Sequence, residues 1–167
     1  GTTLPWMAHG YELTLTPLQT LMIYNAVANG GDIMQPLLVT EVKDVHNTEE
    51  KFKPTLWARN TISKSTAERA TKALVGVIQS DGGTAQNLRG YGISIAGKTG
   101  TAVLGKDEEG KKEYQASFAG FFPAEDPKYS CIVVINNPKG VYYGADVAGP
   151  VFAKIAQNLY SYDIDLH

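Results

Sequence analysis

An α/β domain, with an antiparallel sheet flanked by helices, is the architecture this sequence predicts, and three observations predict it. Three extended apolar stretches, Ile93 to about Val103, Gln115 to Phe122 and Tyr129 to Ile135, follow one another with connections too short for a helical crossover, so neighbouring strands run antiparallel. Two earlier segments open with hydroxyl-led capping signals ahead of apolar runs. A third helical pattern closes the chain.

Taken in order, Thr16-Pro17-Leu18-Gln19 combines an N-cap hydroxyl, a proline at the first helical position and a glutamine placed to close a capping box. Leu21, Met22, Ile23, Ala26, Val27 and Ala28 then lie nearly all round, which predicts a buried helix ending at Gly30-Gly31. Leu37-Leu38-Val39-Thr40-Glu41-Val42 suits a strand. After the polar stretch around His46-Asn47-Thr48 and a break at Pro54, Leu56-Trp57-Ala58 is placed to pair back on it. Ser65-Thr66-Ala67-Glu68 predicts a second capping box, opening a helix through about Gln79 with Ala67, Ala70, Leu74, Val77 and Ile78 on one stripe. Asp81-Gly82-Gly83 ends it. Lys106-Asp107-Glu108-Glu109-Gly110-Lys111-Lys112-Glu113 forms a solvated hairpin tip, and Pro123-Ala124-Glu125-Asp126-Pro127 joins the second strand to the third. The closing helix runs from about Asp146 to Tyr160, with Val147, Val151, Ile155 and Leu159 at four-residue spacing; Pro150 is tolerable only near its first turn.

At 167 residues with 43% hydrophobic content and a formal charge of −2, the chain suits one domain or part of one. That balance does not invite nucleic acid. No run of about 18 apolar residues exists to span a membrane, and Gly1-Thr2-Thr3-Leu4-Pro5-Trp6 lacks the basic and apolar regions of a signal peptide. Cys131 stands alone in an apolar strand, which predicts a buried inert thiol and no internal disulfide. His9, His46 and His167 are scattered without metal-ligand spacing, so no metal and no cofactor is expected.

Lys98-Thr99-Gly100-Thr101-Ala102 carries the chemistry, and two different chemistries claim it. Gly92-Ile93-Ser94-Ile95-Ala96-Gly97-Lys98-Thr99 satisfies the phosphate-loop pattern G-x-x-x-x-G-K-[ST]. Such a loop must follow a buried strand and open a helix, so that backbone N–H groups converge on phosphate. Here Gln86-Asn87-Leu88-Arg89-Gly90 is too polar to be that strand, Ile93 and Ile95 alternate as in a strand, and Gly100 and Gly105 interrupt any helix that follows. The acid expected at the end of a second apolar strand is also missing, since Cys131-Ile132-Val133-Val134-Ile135 runs into Asn136. In an extended strand, by contrast, Thr99 and Thr101 face the same way and can address one ligand.

The alternative is the K-T-G element of penicillin-recognising serine enzymes. Thr14-Leu15-Thr16-Pro17-Leu18-Gln19, Ala28-Asn29-Gly30-Gly31, Gly82-Gly83-Thr84-Ala85, Gly97 to Ala102, Ser117-Phe118-Ala119-Gly120-Phe121-Phe122-Pro123-Ala124, and Asn137-Pro138-Lys139-Gly140 with Tyr143-Gly144 stand in one order along essentially the whole chain. In that order they resemble the C-terminal part of the transpeptidase domain of class B penicillin-binding proteins, the enzymes that cross-link peptidoglycan during division or elongation. The resemblance implies a β-lactamase/transpeptidase-like fold. It implies that Thr99, Gly100 and Thr101 bind the substrate, with the two hydroxyls on its carboxylate and Gly100 allowing close backbone approach. It also implies that Lys98 adds positive charge and assists proton movement, and that the Thr101 N–H forms half of an oxyanion hole.

One departure is severe. Such an enzyme needs a Ser-x-x-Lys nucleophile and a Ser-x-Asn relay, and no serine here sits in either; Thr61-Ile62-Ser63-Lys64 has the nearest spacing but is led by threonine. The expectation is a portion of the domain that begins after both serine motifs and the first strand, and that is inactive alone. The implied partners are the peptidoglycan stem peptide, β-lactams, the absent N-terminal part of the same domain and the division or elongation machinery. The implied location is the extracytoplasmic face of the cytoplasmic membrane, with the anchor elsewhere. Rival readings are a D,D-carboxypeptidase or serine β-lactamase relative, which passes the acyl group to water, a β-lactam sensor domain, and the phosphate-loop protein.

Overall fold

Reciprocal hydrogen bonds start the first helix. The Gln19 N–H donates to the Thr16 hydroxyl at 3.2 Å, and the Thr16 N–H donates to the Gln19 side chain at 2.9 Å, closing the expected capping box at the head of α1 (Pro17–Ala28). These observations come from a computed structural model, which describes residues 13–45 and 47–165. Gly1 to Trp6 and the three histidines lie outside the described residues. Although α1 is apolar nearly all round, only Ala26 is buried, and Ile23 is 52% exposed. The prediction of a buried helix is thus corrected: one side packs on the sheet, and nothing among the described residues covers the other.

The next segment also departs from expectation. Strand β1 (Ile33–Met34) pairs antiparallel with β4 (Leu56–Ala58), and β2 (Glu41–Lys43) pairs with β3 (Thr48–Lys51). Leu37 to Thr40 lie in no strand, and Leu38 is 87% exposed. Pro36 has no N–H to continue the β1 ladder. The Asp44 N–H bonds the Asn47 carbonyl at 2.8 Å, so Glu41–Lys43 turn back on their nearest neighbours and Leu56–Ala58 pair elsewhere.

Helix α2 (Lys64–Gln79) is capped by Ser63, whose hydroxyl accepts the Thr66 N–H at 3.1 Å. The start is therefore two residues upstream of the predicted Ser65 box, because Ser63 and Ser65 both offer a capping oxygen and only Ser63 has the third N–H in reach. At the other end the Arg89 guanidinium donates to the carbonyls of Ile78, Gln79 and Ser80 at 2.7–2.8 Å, satisfying groups that a helix C-terminus leaves unpaired. A single 3-10 turn (Gln86–Leu88) then buries Leu88.

Strands β5 (Ala96–Lys106), β6 (Lys112–Phe122) and β7 (Tyr129–Asn136) form the antiparallel meander in the order β5-β6-β7. Among the described residues, the far edges of β5 and β7 have no strand partner. Ile93 and Ile95 fall outside β5, which corrects its predicted start. Gly90 and Gly92 adopt positive φ (93° and 74°), a left-handed backbone that breaks extended pairing; Ile95 is buried all the same. The alternation there marks burial without marking a sheet. At the tip, one Asp107 carboxylate oxygen accepts the N–H groups of Glu109 and Lys111 at 3.0 and 2.8 Å. The chain enters β5 from a bend and no helix begins at Lys98, so the helix N-terminus that a phosphate loop requires is not there.

Helix α3 (Gly144–Asp165) is longer than predicted at both ends, and Pro150 lies in its second turn rather than its first. Its missing N–H is the one that the Asp146 carbonyl would have accepted. The two faces of β6 divide the core. Phe118 and Phe122 pack against Phe152 of α3, with ring centroids 4.8 and 5.7 Å apart, in a cluster with Ile78, Leu88 and Ile95. Phe121, on the opposite face, meets Val27 and Ala28 of α1 and Leu74 and Val75 of α2. Cys131 is half-buried beside the α3 cluster, and burial pushes its thiol pKa up, in keeping with an inert packing role. None of the helices described is long and apolar enough to cross a membrane.

Because Phe152 is fully buried between two other rings, Phe152→Ala is expected to lower stability by about 3–5 kcal/mol. Denaturant unfolding of a protein carrying this segment checks it, and a loss under about 1 kcal/mol would mean that α3 is not docked as described.

Candidate active site

Residues 98–101 lie on the edge strand β5, and the register places Thr99 opposite Phe118, Gly100 opposite Ser117 and Thr101 opposite Ala116. Thr99 and Thr101 are two apart and share a face. Both line one cavity of about 360 Å³, together with Gly83, Thr84, Gln86, Asn87, Tyr143, Gly144, Ala145 and Asp146. That volume is in the lower range for small-ligand sites.

Each hydroxyl is held by a neighbour. The Thr101 Oγ1 accepts the Gly144 N–H at 3.2 Å, which leaves its own proton free to donate. The Lys98 Nζ donates to the Thr99 Oγ1 at 2.9 Å and to the Thr99 carbonyl at 3.0 Å. Lys98 points from the opposite face of the strand, and its long stem brings the ammonium round to the threonine. The Thr84 and Thr99 hydroxyls stand 3.2 Å apart. When Thr84 is the donor, Thr99 accepts from both Lys98 and Thr84, and its single proton is left for a ligand. Burial lowers the Lys98 pKa from its ordinary value, so its proton is held less firmly than that of a free lysine.

Glycine at 100 has a steric cause different from the one the sequence implies. A Cβ there would run into the Ser117 hydroxyl across the ladder, so the fit to the neighbouring strand is itself a reason for glycine here. The close backbone approach belongs to Gly144, where a Cβ would stand 2.6 Å from the Gly100 carbonyl oxygen.

The structure therefore brings Lys98, Thr99 and Thr101 together and adds Thr84, Asn87, Tyr143 and Asp146, to which sequence reasoning gave no role. Asn87 donates to the Ala145 carbonyl at 2.8 Å and ties the 3-10 turn to the head of α3. The rings of Tyr114 and Tyr142 stack at 4.0 Å, and Tyr142 lies against Tyr143 at 4.7 Å. A hydrogen bond with Tyr142 raises the Tyr143 pKa, so the phenol keeps its proton. Thr84 and Tyr143 lay inside recognisable segments, and their place in sequence was the available signal. Asp146 carried no signal beyond its position at a helix start.

Two hydroxyls in the cavity wall, the first of them bonded to an ammonium, suit an anionic group. Among the described residues no cluster of His, Cys, Asp or Glu could hold a metal ion.

Peptidoglycan D,D-transpeptidase FtsI of Escherichia coli K12 is 37% identical over 148 residues, covering 87% of this chain and 23% of that protein. Stage V sporulation protein D of Bacillus subtilis is 33% identical over 155 residues, covering 90% of this chain and 24% of that protein. Among solved structures, penicillin binding protein 3 of Mycobacterium tuberculosis, complexed with aztreonam, superposes with a TM-score of 0.80 at 28% identity, over 97% of this chain and 38% of that one. The chain thus spans roughly a quarter of the length of these curated relatives. The family model of the penicillin binding protein transpeptidase domain matches residues 5–157, and by that match the chain belongs to this family.

Proposed function

We propose that the chain is the substrate-recognition wall of a serine D,D-transpeptidase that cross-links peptidoglycan stem peptides. The observation that carries this reading is the pair of hydroxyls, Thr99 and Thr101, lining one cavity with the Lys98 ammonium bonded to the first. In the reaction, Thr99 and Thr101 hold the terminal carboxylate of the donor peptide, or that of a β-lactam, while Lys98 supplies charge and a loosely held proton. Thr101, on a strand with an open edge, offers its N–H to the oxyanion that develops as the acyl carbonyl is attacked. The attacking serine belongs to a Ser-x-x-Lys motif that this sequence lacks, so it must come from elsewhere in the working protein. On this reading the protein works on the extracytoplasmic side of the membrane, in division or elongation.

Two outcomes are expected. The isolated chain takes up no β-lactam covalently: intact-mass spectrometry after incubation with a labelled penicillin should show no adduct, and a stoichiometric adduct that depends on folded protein would overturn the division of labour. In the full-length protein, Thr99→Val removes one charge-assisted hydrogen bond while keeping the side-chain shape. The cost is about 1.5–3 kcal/mol, or roughly ten- to a hundredfold in the second-order acylation rate. Lys98→Ala costs at least as much. Acylation kinetics beside melting temperature decide the matter, since unchanged acylation in either variant removes the assignment and a collapsed melting temperature assigns these residues to structure.

A further inference from the structure

The cavity that holds Thr99 and Thr101 also has an acid in its wall. Asp146 stands in the first turn of α3, with its side chain exposed, and lines the same cavity of about 360 Å³. Among the described residues no hydrogen bond or ion pair engages its carboxylate; its backbone N–H bonds the Tyr143 carbonyl at 3.0 Å. The cation of the site, Lys98, is bonded to Thr99 instead. A cavity built only to attract a carboxylate gains nothing from an unpaired acid, because like charges repel in a partly enclosed space. Compensation of the helix dipole explains an acid in the first turn, but any side of that turn would serve for it, and Asp146 lies on the side that faces the ligand cavity. The pocket is therefore polarised: hydroxyls with a linked ammonium along β5, a free carboxylate at the head of α3.

We infer that Asp146 is a specificity-determining residue that selects a substrate carrying a protonated primary amine, held at Asp146 while the substrate carboxylate is held at Lys98, Thr99 and Thr101. This rests on the transpeptidase reading, in which the acyl group passes to an amine. The ammonium has two sources, a side chain of the donor peptide or the incoming acceptor before it gives up its proton, and the two act at different steps.

The test uses the full-length protein and synthetic donor peptides ending in a free carboxylate, with a side-chain amine either free or acetylated. Acylation without acceptor is followed by mass spectrometry, and transfer to added acceptor amines is followed in a second set of reactions. At low salt the wild type should favour the ammonium-bearing partner by about three- to tenfold, the range for a partly screened charge pair, and added salt should shrink that preference. Asp146→Asn should bring the ratio to about one, and Asp146→Glu should retain most of it. A ratio that changes in acylation assigns the amine to the donor; one that changes only in the KM of the acceptor assigns it to the acceptor. The inference is overturned if Asp146→Asn keeps the wild-type ratio, or if both rates fall together with the melting temperature, the pattern of a helix-stabilising acid alone. Penicillin acylation of the wild type serves as the control. If that fails too, it is the transpeptidase reading of the site that has failed, and the role of Asp146 falls with it.

Discussion

One backbone contact organises the rest of the molecule: the first residue of α3 sits directly on the rung of the sheet that carries the candidate site. A side chain at Gly144 would collide with the Gly100 carbonyl, and the Gly144 N–H is already bonded to the Thr101 hydroxyl. Helix, strand and pocket are thereby placed by a single close approach. The Phe118, Phe122 and Phe152 rings hold the next turns of α3 against β6. Alanines at 148, 153 and 156, all fully buried, let the helix backbone come close to the sheet along its length. The described core contains no buried polar or charged residue, so its packing is apolar throughout and the polar chemistry is confined to the edge strand and its cavity.

The parts legible from sequence share a physical trait: their signals are local. The second half of β6 and most of β7 are largely apolar runs separated by a short polar turn, and Thr16 to Gln19 specify a capping box by themselves. Where a choice depended on distant partners, sequence failed. Alternation at Ile93 and Ile95 recorded burial, yet two left-handed glycines kept that segment out of the ladder. The apolar run from Leu37 to Val42 has strand composition, but Pro36 and the turn at Asp44 decide which neighbours it meets. Helix α1 shows that composition on every face of a helix does not establish that every face is covered.

The site divides along the same line. Lys98, Thr99 and Thr101 are contiguous, so strand periodicity alone puts the two hydroxyls on one face. Thr84, Asn87 and Asp146 reach the cavity only because α2 ends, turns at residues 86–88 and returns as β5, and because α3 then crosses its flank. The hydrogen bond between Thr84 and Thr99 spans 15 positions of sequence, and nothing in the local pattern of either residue announces it. A further reason for glycine at 100 is hidden for the same cause: its crowding neighbour, Ser117, is visible only once the register is known.

The bond from Gly144 to Thr101 also makes α3 a lever on ligand affinity. A Cβ at Gly149, one turn further along, would come within 3.2 Å of the Leu88 side chain. A larger residue there would press on Leu88, and where that side chain does not yield, the strain falls on the helix whose first N–H bonds the Thr101 hydroxyl, although Gly149 does not line the cavity. On the transpeptidase reading proposed above, selection against an inhibitor that competes for the carboxylate site has room to act on the seating of the helix. It can spare Thr101 itself, so that adaptation accumulates in residues that never meet the inhibitor.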